Sequence, residues 1–277
     1  MKALATPRKR SLALLGGALL SASVQAHETW MLPGSFSAEP GESLEFTLTS
    51  GMSFPSLGSG IDQRRIMEAV MLQHEEPAQT LVPSRALEGA LELTGIPDPG
   101  LVCAWVQLRP RILQIDDPDD VEHYLDEIGV AEALRESWEA DDSLWRESYS
   151  KVARSYLRAG DAQSGQGCIE EPTAARFDIL PLADPTTLSP GDRLPLQVLF
   201  DGEPLAGQAV GTMREGESAM PLQRSDESGR LEVSVAAGGR HMIYATNLRK
   251  AAGGDDFNWE SDFITLTFDV ATGPSGR

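Results

Sequence analysis

A mainly β fold, with two sandwich-type domains and a helical insertion in or after the first, is what this chain of 277 residues predicts. Three observations carry that expectation. Apolar and polar residues alternate in segments near both ends, the pattern of strands buried on one face. Clusters of Gly, Pro, Asp and Ser punctuate those segments at regular spacing, as the turns of a sandwich do. Between them, over residues 116–160, the apolar spacing changes to three and four, which is the helical period.

The elements follow in order. Lys2, Arg8, Lys9 and Arg10 precede an apolar run from Leu12 to Leu20, and Val24 and Ala26 sit three and one positions before a cleavage point. Residues 1–26 therefore read as a secretory signal cut after Ala26, too short to anchor in a bilayer. The mature protein then begins at His27 and is periplasmic, with no later stretch apolar enough to span a membrane. Residues 27–172 form the expected N-terminal β domain. In it Leu44, Phe46 and Leu48 share one strand face, and residues 100–108, apolar on both faces, read as a central strand between the turns "TGIPDPG" and "RPR".

In the insertion, Pro118 and the acids around it start a helix on which Val121, Tyr124, Leu125 and Ile128 make one face, with Gly129 as the stop. "LWRESYSKVARSYLRAG" repeats the pattern with Trp145, Tyr149, Val152 and Tyr156, ending at Gly160. Residues 173–270 return to strands. Leu194, Leu196, Val198 and Phe200 alternate, "DGEPLAG" signals a hairpin, and Ile264, Leu266, Phe268 and Val270 alternate again. The tail, residues 271–277, reads as disordered.

Composition narrows the function. The formal charge is −19, and removing the leader removes four cations and no anions, leaving −23. Such a surface repels nucleic acid and anionic lipid and attracts cations weakly. The chain has no G-x-S-x-G, H-E-x-x-H, P-loop or dinucleotide fingerprint, so the reading is a non-enzymatic protein. An exported chain with two cysteines, Cys103 and Cys168, favours a disulfide between them.

Several segments carry a resemblance. "SGMSFP", "DDVEHYLDEIGV", "WRESYSKVARSYLRAG", "DPTTLSPGDRLPLQVLFDGEPLAGQAV" and "WESDFITLTFDV" occur in the order found in a bacterial family of unknown function, described as the periplasmic component of cobalt/nickel transport systems. The resemblance implies an exported protein that handles metal, an immunoglobulin-like C-terminal domain, and a membrane metal transporter as partner. Met52 and Asn247 stand where members of that family often carry histidine.

The candidate ligands start at His27. A free α-amine and an imidazole on one residue can close a chelate ring on one ion, and copper(II) and nickel(II) favour such nitrogen donors. His241, at the start of a strand, or His74, beside two acids in a turn, would complete the site. Glu28 and Met52 are further possible donors. Met31 and Met242 are potential soft ligands for copper(I), although scattered methionines usually fill cores. His123 falls off its helix's apolar face and reads as exposed. The expected ligand is thus one nickel, cobalt or copper ion. Two other functions fit the same residues: a cell-envelope interaction module that binds no metal, and a histidine-brace copper oxidase.

Overall fold

The computed structural model describes residues 28–73, 77–141, 143–161, 166–169, 171–253 and 256–272. The chain opens with β1 (Glu28–Pro33), β2 (Ser37–Ala38), β3 (Leu44–Gly51), β4 (Ser59–Gly60) and β5 (Ile66–Leu72). It continues through β6 (Gln79–Thr80), β7 (Val82–Leu87), β8 (Ala90–Gly95) and β9 (Gly100–Ile115). Two helices, α1 (Pro118–Glu127) and α2 (Glu132–Glu139), lead into β10 (Trp145–Ala159). Then come β11 (Phe177–Pro181), β12 (Arg193–Phe200), β13 (Glu203–Pro204) and β14 (Ala209–Arg214). The last strands are β15 (Gln223–Arg224), β16 (Arg230–Ser234), β17 (Gly239–Lys250) and β18 (Trp259–Val270).

These strands make three sheets. A nine-stranded sheet, ordered β15-β14-β17-β18-β10-β9-β5-β6 with β2 also on β10, lies in the middle. A five-stranded sheet, β1-β3-β8-β7 with β4 on β3, covers one face, and a four-stranded sheet, β11-β12-β13 with β16 on β12, covers the other. Two core clusters record the layering. Val102, Ala104, Val106, Ala153 and Leu157 of the middle sheet meet Phe46, Leu48, Leu91 and Leu93 of the first sheet. Leu101, Cys103, Val152, Tyr156, Ile264 and Leu266 meet Ile179, Leu194, Leu196 and Val198 of the other.

The layering corrects the helical insertion. Of residues 116–160 only α1 and α2 are helical, and the segment expected as a helix ending at Gly160 is instead strand β10. The reason is burial on both faces. Val152 and Tyr156 enter one core while Ala153 and Leu157 enter the other, so the strand shows no alternation, and Trp145, Tyr149, Val152 and Tyr156 fall at helical spacing without forming a helix face. β9 likewise runs on through "RPR" to Ile115, past the expected turn. Pro110 offers no N–H to the ladder, and the β9–β10 register slips at that point, between Tyr149 and Lys151.

A sheet also crosses the expected domain boundary at residue 172. β10 pairs in parallel with β18, so the two sandwich halves share their middle layer. Buried Arg154 ties the layers further, donating to Asp178 Oδ1 at 2.9 Å and to the Glu171 carbonyl at 2.8 Å. Other expectations stand. α1 has Asp117 as its cap and buries Val121, Tyr124 and Leu125. The "DGEPLAG" hairpin turns on Asp201 (φ 51°) and Gly202 (φ 81°), the left-handed pair that a two-residue hairpin needs. Cys103 and Cys168 form a disulfide within the core, across a sequence separation of 65. No helix among the described residues is long and apolar enough to cross a membrane.

Candidate functional site

The described chain starts at the wall of a cleft of about 880 Å³. Pairing of β1 with β3 sets Glu28 opposite Gly51, and the next residue is Met52. The facing wall comes from β14 and β17, where Met213 is paired with Met242 and Gly211 with Tyr244. A Cβ at residue 211 would lie 2.2 Å from the Tyr244 ring, so glycine is needed for that ring to lie across β14. The segment after β14 folds back over it, with Met220 N–H bonded to the Thr212 carbonyl at 2.9 Å. The end of α1 adds Asp126 and Glu127 to the lining. Trp30 and Phe54 meet edge to face, with centroids 5.7 Å apart, and pack with Leu32 and Met242 beneath.

The cleft is acidic and soft. No Lys, Arg or His is among the described residues that line it, whereas Glu28, Asp126, Glu127 and Glu217 do. Asp126 is held by Arg135 and Glu217 by Arg214, neither of which belongs to the lining. Glu28 differs from these. Its Oε2 is shut off from solvent and has no hydrogen-bond partner. Burial raises this carboxyl to about 8, against the pull of Lys151 and with a push from Glu127. Tyr244 is raised to about 12, first by burial and then by Glu28 and Glu127. The indole Nε1 of Trp30, fully buried in the same lining, also lacks a partner.

Behind this wall lies a second buried carboxylate. Glu147 is fully buried and accepts from Tyr124 O–H at 2.9 Å, from Trp145 Nε1–H at 3.0 Å and from the Ser261 hydroxyl. Trp145 stacks on Trp259 beside it, with centroids 4.7 Å apart. Burial raises the Glu147 carboxyl while the three donors and Lys151 lower it, and burial prevails.

A family profile described as a domain of unknown function, DUF4198, matches residues 24–249. The chain belongs to the DUF4198 family. The matched stretch includes every residue that lines the cleft. No curated protein matches this DUF4198 chain in sequence. Among solved structures, the D0-D1 domain of intimin is similar at 12% identity and a TM-score of 0.20, over 86% of this chain and 96% of that one. The three N-terminal domains of the bacteriophage RB49 outer capsid protein Hoc are similar at 10% identity and a TM-score of 0.18, over 87% of this chain and 59% of that one. Superpositions this loose carry no argument.

The expected ligands of this DUF4198 chain separate. His27 and His74 lie outside the described residues. Glu28 and Met52 share the cleft. His241 does not line it: strand alternation puts Met242 and Tyr244 toward the cleft and His241 on the other face of β17. There the ring stacks on Phe268, with centroids 5.5 Å apart, and its Nε2 meets the Ala237 carbonyl at 2.9 Å. Met31 is fully buried in the core between the first and middle sheets. His123 is exposed, as its position on α1 suggested. Among the described residues no three His, Cys, Asp or Glu side chains are grouped to hold a metal ion.

Trp30, Asp126, Glu127, Met213, Glu217, Met220 and Tyr244 were not singled out as site residues by sequence reasoning. A local signal existed for Met213 alone, since β14 and β17 are both strands and a methionine on each can face one side.

Proposed function

We propose that this is an exported, periplasmic, non-enzymatic protein that captures a transition-metal ion at its mature N-terminus and passes it toward uptake. The observation that supports it is Glu28. The residue that follows His27 lines an acidic cleft, and one of its carboxylate oxygens is buried without a hydrogen-bond partner. His27 lies outside the described residues; it is the residue joined directly to Glu28, one peptide bond away. Amine and imidazole nitrogens form the chelate, and the Glu28 carboxylate supplies a third, anionic donor. Nickel(II), cobalt(II) and copper(II) all accept such nitrogen and oxygen donors. The Cys103–Cys168 disulfide fits an oxidising compartment.

The chemistry sets a pH dependence. An α-amine titrates at roughly 7.7–8.0 and must lose its proton to bind, so capture releases protons and weakens as pH falls. The test compares protein purified from the periplasm with its authentic N-terminus against a version carrying one extra residue before His27. The extension keeps the imidazole and removes the amine–imidazole chelate. Nickel(II) and copper(II) affinities should fall at least tenfold, about 1.4 kcal/mol. Equal affinity of the two versions, or a mature mass that starts elsewhere than His27, removes this reading.

A further inference from the structure

We infer that the cleft is a thioether site for a soft monovalent cation, copper(I), built from Met52, Met213, Met220 and Met242. Four of the chain's eight methionines line this one cleft. They come from four separate elements: the loop after β3, strand β14, the segment folded back over β14, and strand β17. Met213 and Met242 are direct cross-strand partners, a relation that sets Cβ atoms about 4.5–5.5 Å apart on a shared face. The Met220 N–H bond to Thr212 brings the third methionine alongside Met213, and Met52 is the residue after Gly51, the partner of Glu28.

Methionine commonly fills irregular gaps in cores. That account fits Met242, which is buried, but not the rim. Met52 is 52% exposed and Met220 46% exposed, so neither fills a core. Two half-exposed methionines thus line the same concave wall as two more, which concentrates thioethers where a ligand can reach them. Neutral sulfur donors select copper(I) over harder divalent ions, which prefer nitrogen and oxygen. Asp126, Glu127 and Glu217 give the cleft the negative charge that thioethers lack, and among the described residues they form no hard-ion cage of their own.

The inference rests on the proposed metal-handling role for its meaning, but its donors are independent of His27. The experiment uses the full mature chain with its authentic N-terminus. Silver(I), a redox-inert d¹⁰ cation, is titrated into protein carrying ¹³C-methyl methionine. The methyl signals of Met52, Met213, Met220 and Met242 should shift together at one equivalent, while those of Met67 and Met71 stay put. Anaerobic copper(I) competition against a chromophoric chelator should then show at least a tenfold loss in Met52→Leu/Met220→Leu and in Met213→Leu/Met242→Leu. These swaps nearly conserve volume, so the fold tolerates them, and nickel(II) affinity should be unchanged in Met213→Leu/Met242→Leu.

Unshifted cleft methyls, or wild-type copper(I) affinity in both double variants, overturn the inference. The N-terminal extension separates the two readings. If it abolishes nickel(II) binding while the methionine variants bind copper(I) normally, the thioether site is wrong and the N-terminal chelate stands. If it changes nothing while the methionine variants lose copper(I), the thioether site stands alone.

Discussion

Glu28 and Glu147 are both raised by burial, and each lies near the start of its strand, β1 in the first sheet and β10 in the middle one, yet they are built oppositely. Both oxygens of Glu147 have donors: Tyr124, Trp145 and Ser261 bond to it, and two stacked tryptophans lie beside it. Glu28 lines a cleft and has one buried oxygen with no partner. A buried carboxylate whose acceptors are all satisfied holds a structure together, and cutting it out leaves donors stranded. A buried carboxylate oxygen with no partner contributes no hydrogen bond to the fold.

Four changes break or sharpen this contrast. The largest effect belongs to Glu147→Ala, which strands the buried Tyr124 hydroxyl and Trp145 N–H. Destabilisation of roughly 3–5 kcal/mol in chemical denaturation is expected. Glu147→Gln keeps an acceptor oxygen but turns the other position into a donor facing a donor, so about 1–3 kcal/mol is expected. Glu28→Gln should destabilise less than Glu147→Ala, because its Oε2 makes no hydrogen bond to lose and only the attraction to Lys151 goes with the charge, while nickel(II) affinity drops about tenfold, or 1.4 kcal/mol. A Glu28→Gln loss as large as that of Glu147→Ala would erase the distinction.

The smallest effect concerns the opposite face of β17. His241 is held below its ordinary value of 6.5, chiefly by burial, with Arg214 adding to this and the Ala237 carbonyl, Asp269 and Glu217 opposing it. The unfolded chain therefore binds more protons than the folded one below about pH 6.5, so this residue's contribution is present above that pH and is lost as pH falls. His241→Phe keeps the stack on Phe268 and cannot titrate. Its stability should fall less steeply than wild type between pH 6.5 and 5, measured by urea midpoints. Parallel slopes would show that His241 does not titrate differently on folding.

What the sequence disclosed followed one rule: a strand or helix exposed on one side writes its period into the chain. β12, with one face in the core, and α1, with an apolar stripe under a capped start, were both legible. β9, apolar on both faces, was legible as a continuous run over residues 100–108, but β10 was not, because it buries polar Lys151, Arg154 and Ser155 among its apolar residues and so shows neither alternation nor an unbroken apolar run. The site was half legible for a related reason. Glu28 and Met52 stood out through their nearness to His27 and to a chain motif. Met220 carried no local mark and Met213 only its place on a strand, since the pairing of β14 with β17 and the fold-back onto Thr212 are what bring them to the cleft.

The first strand is fastened to the last. Thr265 and Thr267 of β18 donate their hydroxyls to the Thr29 and Met31 carbonyls of β1, each at 2.6 Å and 236 residues apart in sequence. A chain that emerges N-terminus first therefore cannot fasten β1 to β18 until almost its whole length is out. Contacts of such separation form late, because the chain entropy of closing so long a loop is lost before any bond is gained. The order of emergence thus times the assembly: β1 can pair with β3 early, but its hold on the last strand is made only at the end, and a polypeptide cut short before β18 would never make it.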